Sequence, residues 1–226
     1  MEHITPLLSA SFIVITLLTV GLFYLAANKS KRILAIIIGW MALQFIIVQT
    51  GFYTNTKAVP PRLMLQLAPT LIFILILFLT KSGRRFIDSL NLKQLTLIHT
   101  IRIPVEIVLF YLYAAHTIPQ IMTFEGRNFD IIAGFTAPLI YYFGFVNQKL
   151  SGKTILIWNI LSLALLINIV SIAVLSASSP FQQFGFNETN IALAHFPFNW
   201  LPSVVVPIVL LSHLVAIRRN LFEANQ

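Results

Sequence analysis

Three ionisable residues, His99, Arg102 and Glu106, lie within two helical turns of one another in an otherwise apolar stretch. Glu106 follows Arg102 by four residues, and this spacing places both side chains on one face of an α-helix, where they would form an ion pair. A charge at the centre of a membrane helix costs roughly 2.5 to 3.5 kcal/mol even on the lenient insertion scale, so such residues face protein or water. The group predicts either a binding or proton-exchange site or an ion pair that fixes helix packing.

The functional interpretation gives each of these residues a role. Arg102 would hold an anionic or polar group of a ligand, Glu106 would exchange protons beside it, and His99 would relay protons from the cytoplasmic side. Tyr113 falls on the same helix face at 100° per residue. Pro104 removes one backbone hydrogen bond and frees a carbonyl. The stretch therefore predicts a proline-kinked polar pocket.

A second group of polar residues gathers at one end of several apolar segments and would form the rim of this pocket. Gln66 lies one turn further into its segment than Arg62, and both would support the pocket from another helix. Asn128 and Asp130 suit the cap of a helix better than catalysis. The other rim residues are Asn55, Lys57, His116, Gln120, Thr123, Phe124, Glu125, Gly126, Arg127, Phe129, Glu188, Asn190 and His195.

The composition identifies the surroundings of these residues. Hydrophobic residues make up 58% of the 226 residues, charged residues make up 10%, and the mean hydropathy is +0.86, so polar groups are too few to cover a soluble globule. Cysteine is absent, which excludes disulfides, thiolate metal sites and cysteine nucleophiles. The net charge of +8 is spread over short loops. That pattern is typical of membrane topology, and no nucleic-acid partner is expected.

The apolar residues fall into segments long enough to be membrane helices, and the first carries no signal-cleavage pattern. Short linkers predict one all-α domain over residues 1–226, a bundle of seven transmembrane helices. The seven segments are Leu7 to Ala27, Ile33 to Tyr53, Leu63 to Thr80, Leu95 to Thr117, Ile131 to Val146, Thr154 to Leu175 and Phe198 to Ile217.

Lysine and arginine are distributed unevenly between alternate loops, and this predicts the orientation. The positive-inside rule places the richer side, and with it the C-terminus, in the cytoplasm and the N-terminus outside, in a bacterial inner membrane. The richer side has 11 basic residues: Lys29, Lys31, Arg32, Lys81, Arg84, Arg85, Lys93, Lys149, Lys153, Arg218 and Arg219. The other side has 3: Lys57, Arg62 and Arg127.

The longest connection, from Ser176 to about Asn199, contains five phenylalanines: Phe181, Phe184, Phe186, Phe196 and Phe198. This aromatic segment is either a lid over the bundle mouth or an interfacial aromatic belt. The blocks HTIRIPVEIVLFYLYAAHTIPQIMTFEGRNFD and HFPFNWLP resemble an uncharacterised family of seven-helix bacterial integral membrane proteins. The resemblance implies a membrane-embedded helical fold over most of the chain and carries no activity.

The sequence lacks the residues that several known activities require. The seventh segment has no lysine for a retinal Schiff base, and the HExxH, GxSxG, GxxxxGK[ST] and GxGxxG patterns do not occur. No cofactor or metal is predicted, but one alternative remains, a b-type haem held by histidine pairs at matched depth. The pairs would be His99 with His213 and His116 with His195.

The sequence thus predicts a small-molecule or ion transporter, or a binding protein, whose pocket centres on Arg102 and Glu106 and opens outward. One alternative is an intramembrane enzyme that uses Glu106 and His99 as acid and base on a lipid-derived substrate. Another is an assembly protein in which the polar face only packs. Membrane lipids and a small-molecule ligand are the expected partners, and homo-oligomerisation stays open.

Overall fold

The computed structural model describes residues 4–56, 58, 61–188 and 190–223, and within them the chain is all-α with no strand. Lys57 of the predicted rim lies outside the described residues. The α-helices are α1 Pro6–Ala26, α2 Lys31–Gln49, α3 Met64–Leu79, α4 Lys81–Ser89, α5 Leu92–Ile98, α6 Arg102–Ala114, α7 Asp130–Ile140, α8 Gly152–Ser176 and α9 Val206–Glu223. Short 3₁₀ turns cover Phe52–Thr54, His99–Ile101, Gln120–Met122 and Ala192–Ala194, and π-helical turns cover Tyr141–Val146 and Leu201–Val205.

Hydroxyl side chains fix where the long apolar helices begin. Thr5, Ser30 and Ser151 accept hydrogen bonds from backbone N–H groups in the first turns of α1, α2 and α8. Those N–H groups have no partner inside a helix, so a capping oxygen stabilises the start of each one.

All seven predicted apolar segments are helical, but they differ in length. Five helices in the described part of the chain are long and apolar enough to cross a membrane: α1, α2, Leu92–Ala114, α8 and Leu201–Leu221. Helix α3 bends by 96° into α4, and the two together would make a sixth span. Asp130–Val146 is a shorter apolar helix. The structure therefore gives five or six candidate spans where the sequence predicts seven.

Proline accounts for the irregular turns within these helices. The ring of Pro104 cannot donate to the carbonyl of Thr100, and the backbone there forms the 3₁₀ turn His99–Ile101. Pro138 precedes the π-helical turn that extends α7, and Pro202 lies within the π-helical turn that leads into α9. The predicted kink at Pro104 is thus a tightening of the backbone directly before Arg102.

The basic loops meet at one end of the bundle, which we call the basic end; it comprises residues 27–30, 80–91 and 147–151 and the C-terminal turns of α9. Asn91 donates its N–H to the carbonyl of Ala26 at 2.9 Å, and Arg219 donates to the carbonyl of Leu90 at 2.9 Å. A Cβ at Gly152 would lie 3.4 Å from Oδ1 of Asn220. These contacts bring the basic loops together.

The opposite end, called the loop end, comprises residues 50–63, 115–129 and 177–200. The N–H of Ile191 donates to the carbonyl of Thr117 at 3.0 Å, which joins two of these segments. The aromatic segment divides here: Phe198 is buried against Phe12 with ring centroids 5.3 Å apart, whereas Phe186 is exposed. Part of the segment predicted as a lid or an aromatic belt is therefore bundle core.

The segment between α6 and α7 folds back into the bundle. Its Asn128 contacts Glu106, which lies eight residues before the end of α6, or roughly 12 Å at 1.5 Å per residue. Helix α7 then packs closely on α6, since a Cβ at Gly134 would lie 2.8 Å from Cγ1 of Ile103. Irregular backbone at this depth is tolerated because protein surrounds it. Helix α7 therefore begins deep in the bundle.

Candidate functional site

Arg102 pairs with Asp130 and not, as the sequence predicted, with Glu106. The Nε of Arg102 donates to Oδ2 of Asp130 at 2.6 Å, and Nη2 donates to Oδ1, so the contact is bidentate. Both residues are buried, with 3% and 5% of their surface exposed. Asp130 is thus an interior residue and not part of the rim. The guanidinium fork fits a carboxylate that approaches from another helix.

Two further groups accept hydrogen bonds from Arg102. Nη2 donates to the carbonyl of Ser162 at 3.0 Å, and Nη1 lies 3.2 Å from Nε2 of His213. A guanidinium can only donate, so His213 accepts through Nε2 and carries its proton on Nδ1, which donates to Oδ1 of Asn159 at 2.9 Å. Four of the five N–H groups of Arg102 are engaged in this way. The predicted role of Arg102, to bind an anionic group, would require this network to open.

His99 lies against the same network through its ring. It stacks on His213 with centroids 3.8 Å apart and rings inclined by 17°, and it contacts Trp158 edge-on at 5.5 Å. Its Nδ1 is buried and has no hydrogen-bond partner among the described atoms. His99 is therefore a packed member of the cluster, 1% exposed.

The histidine pairs do not have the geometry that a haem needs. His99 and His213 stack face to face, whereas two axial ligands direct a ring nitrogen at one iron from opposite sides. Both ring nitrogens of His213 already have partners. At the loop end, His195 donates from Nδ1 to the carbonyl of Ile191 at 2.8 Å, and His116 is exposed. The haem alternative does not fit these residues.

Glu106 is held by an amide. Nδ2 of Asn128 lies 2.7 Å from both carboxylate oxygens and 3.0 Å from the carbonyl of Met122. Oδ1 of Asn128 accepts the N–H of Asp130 at 3.0 Å, which fixes the orientation of the amide. Asn128 thus supplies the capping oxygen at the start of α7, while Phe129 occupies the cap position and Asp130 is the first helical residue. No cation pairs with Glu106 among the described residues.

A cavity of about 90 Å³ opens beside this carboxylate, and we call it the Glu106 cavity. Its wall is apolar apart from Glu106 and Asp130. The apolar lining comes from α3, α6, α8 and the start of α9, and includes Met64, Leu67, Leu109, Leu166, Ile169 and Val206. His99 and Arg102 are not among the lining residues. The cavity therefore presents carboxylates to a ligand, not the guanidinium.

The charges of the cluster leave Glu106 uncompensated. Arg102 and Asp130 neutralise each other, and Asn128 offers Glu106 only a neutral donor. An isolated carboxylate in an apolar interior either takes up a proton or faces a positive or hydrogen-bond-donating partner. Asn128 already donates to Glu106, which is 1% exposed, so a positive partner for this carboxylate would have to come from the cavity that it lines.

The other predicted residues lie apart from this cluster. Gln66 is buried and donates from Nε2 to the carbonyl of Leu193 at 2.9 Å. Arg62 lies over the ring of Phe52, with Cζ 4.5 Å from the centroid, and lines a different cavity at the loop end. Tyr113 is half-buried, and Glu125 and Arg127 are exposed.

Sequence reasoning did not connect Asn159, Ser162 or Trp158 with the site. Asn159 and Ser162 are spaced three apart in the apolar helix α8, so they share a helix face, and this spacing was the available signal. Both now contact the network of Arg102 and His213.

A family model described as a domain of unknown function (DUF8737) matches residues 60–221, a range that contains the whole polar cluster. No curated protein and no solved structure matches the chain.

Proposed function

We propose that this chain, which belongs to the family of the domain of unknown function DUF8737, is an integral membrane protein that binds a small amphipathic molecule in the Glu106 cavity, as its carrier or receptor. The ligand would present an ammonium or another hydrogen-bond donor to Glu106 and its apolar part to the remaining wall. The observation that carries this proposal is a buried carboxylate, without a cationic partner among the described residues, in the wall of an apolar cavity.

The cluster around Arg102 supports this function as a scaffold. Its hydrogen bonds hold Asp130, and Asp130 together with Asn128 fixes the start of α7 beside Glu106. A binding group is most selective when other contacts prevent its reorientation. Arg102 therefore acts through Asp130 and does not contact the ligand.

The membrane setting is part of the same proposal. The helices run alternately toward the basic end and the loop end, which supports seven crossings if the α3–α4 pair and the short α7 each count as one. For α7, segment 115–129 completes the crossing at the loop end. The basic loops favour a cytoplasmic basic end, with the N-terminus outside, in a bacterial inner membrane with its lipids as neighbours. The Glu106 cavity would then be reached from the outer side.

Native mass spectrometry tests the proposal. The protein is purified with gentle delipidation beside its Glu106→Gln variant, which keeps the side-chain size and removes the negative charge. The matched control is Asp88→Asn, because Asp88 carries the other ion pair of the described residues, with Arg218 at the basic end. We expect a bound non-protein mass in the wild type and in Asp88→Asn that Glu106→Gln loses.

Two results would count against this function. A mass retained by Glu106→Gln would show that the carboxylate does not recognise the ligand. A wild-type protein that carries no bound mass, although circular dichroism shows that it is fully helical, would favour a packing role for the polar cluster.

A further inference from the structure

A second cavity lies at the loop end and has the opposite electrostatic character. Its volume is about 70 Å³, and we call it the Arg62 cavity. Polar and aromatic side chains line it, including Tyr53, Arg62, Asn190 and His195. Leu63 and Ala177 line both this cavity and the Glu106 cavity, so these two side chains form the partition between them.

Asn190 lines this cavity, and its side-chain amide lacks hydrogen-bond partners among the described residues. It is 7% exposed, and neither Nδ2 nor Oδ1 has a hydrogen-bond partner in the part of the chain that the structure describes. Each unpaired donor or acceptor of a buried amide costs the folded protein about 1–3 kcal/mol of stability. Asn190 lines the cavity, so a molecule bound there is a candidate partner for this amide.

Arg62 lines the same cavity and supplies a positive charge to it. Phe52 holds the guanidinium of Arg62 by two contacts. The guanidinium lies over the phenyl ring of Phe52, and Nη1 donates to the backbone carbonyl of Phe52 at 3.4 Å. No carboxylate pairs with Arg62 among the described residues. The remaining N–H groups of a guanidinium held in this way form the planar fork that fits a carboxylate.

The other groups of the Arg62 cavity add no negative charge. Burial raises the pKa of the Tyr53 phenol above its ordinary value, more than the hydrogen bond to Gln44 lowers it, so Tyr53 stays neutral. His195 donates from Nδ1 to the carbonyl of Ile191, which leaves Nε2 for a ligand. The described lining contains no Asp or Glu.

We propose that the Arg62 cavity is a binding site for a small carboxylate that bears an adjacent hydroxyl or amino group. The carboxylate binds the guanidinium of Arg62, and the neighbouring hydroxyl or amine pairs with the amide of Asn190. The donor and acceptor of one Asn side chain match a group that can both give and take a hydrogen bond. This site is separate from the Glu106 cavity and does not depend on the function proposed for it.

The test measures binding of sodium lactate by saturation-transfer NMR to the full chain in lipid nanodiscs. Acetate, which lacks the hydroxyl, and inorganic phosphate serve as competitors. Lactate should bind more tightly than acetate, and phosphate should not displace it. Arg62→Gln should weaken lactate binding roughly tenfold or more, as expected for the loss of a charge-assisted hydrogen bond. The matched control, Arg127→Gln, removes an exposed arginine of the same end and should bind as the wild type does.

Asn190→Leu separates a ligand role from a structural one. The variant should lose lactate binding while its thermal unfolding midpoint stays unchanged or rises, because a buried, unpaired amide is replaced by an apolar side chain of similar size. A fall in the midpoint would show that Asn190 supports the fold and would overturn its role. Absence of lactate binding to the wild type, or unchanged binding to Arg62→Gln, would overturn the site and leave the cavity to water.

Discussion

Arg102 and Asp130, 28 residues apart in the chain, form a buried bidentate ion pair that joins the first residue of α6 to the first residue of α7. The pair fixes the depth at which segment 115–129 stops and α7 begins. It also explains why Arg102 does not pair with Glu106, since four of its five N–H groups already have other acceptors. The electrostatic character of the Glu106 cavity therefore follows from this contact.

Removal of one partner of this pair should be strongly destabilising. Asp130→Asn leaves the guanidinium of Arg102 buried without its counter-charge, and breaking a buried pair costs about 3–5 kcal/mol. The double variant Arg102→Met with Asp130→Leu buries no charge, and it should recover most of the lost stability. The measurement is the free energy of unfolding in detergent.

The control for this prediction is Asp88→Asn, which breaks an exposed pair with Arg218 and should cost less than about 1 kcal/mol. Equal losses in Asp88→Asn and Asp130→Asn would contradict a special role for the buried pair. A double variant less stable than Asp130→Asn would contradict the electrostatic explanation.

Replacement of the amide nitrogen of Asn128 by an oxygen should lower the stability of the protein. Asn128→Asp replaces the donor that holds Glu106 by a second carboxylate, and a loss of about 1–3 kcal/mol is expected for the unmade hydrogen bond, with charge repulsion in addition. Glu106→Gln in the same chain restores a donor and an acceptor across this contact. The double variant should therefore be more stable than Asn128→Asp alone, as a double-mutant cycle measures. Additive losses would show that the two side chains do not interact.

The burial of His99, Arg102 and Glu106 could be predicted from the sequence. An ionisable residue within an apolar run must face the bundle interior, whatever the fold, because lipid cannot solvate it. A related rule predicted the helical segments, since backbone N–H and C=O groups in lipid must form hydrogen bonds within their own helix. These predictions depend on composition and spacing alone.

The partner of Arg102 could not be predicted in the same way. Residues 123–130 are rich in polar side chains, including Asp130, and a sequence interpretation assigns them to an exposed rim. The structure buries Asn128 and Asp130 because they pair with groups from α6, a contact between elements that no helical projection contains. The structure gives five or six candidate spans and not seven for a related reason, because the 96° bend after α3 and the deep start of α7 are tertiary features.

Gly134 should be the glycine whose replacement most affects the site. A Cβ there would lie 2.8 Å from Cγ1 and 3.0 Å from the backbone N of Ile103, so Gly134→Ala would push α7 away from α6. We expect a loss of about 1–3 kcal/mol, as for other overpacked positions. Gly21→Ala and Gly39→Ala are matched controls, because a Cβ at either glycine meets nothing within 4 Å. Both should be neutral or stabilising by up to about 1 kcal/mol, since alanine favours a helix. Equal effects at all three would contradict the close approach.

The proposed orientation can be tested with single cysteines, because the chain has none of its own. Asn187→Cys lies in the exposed part of the loop end, and Ser82→Cys lies in α4 at the basic end. A membrane-impermeant maleimide should label Asn187→Cys in intact cells and label Ser82→Cys only after permeabilisation, because the basic end is expected in the cytoplasm. The wild type should stay unlabelled and gives the background. The reverse pattern would invert the orientation and place the access to both cavities on the cytoplasmic side.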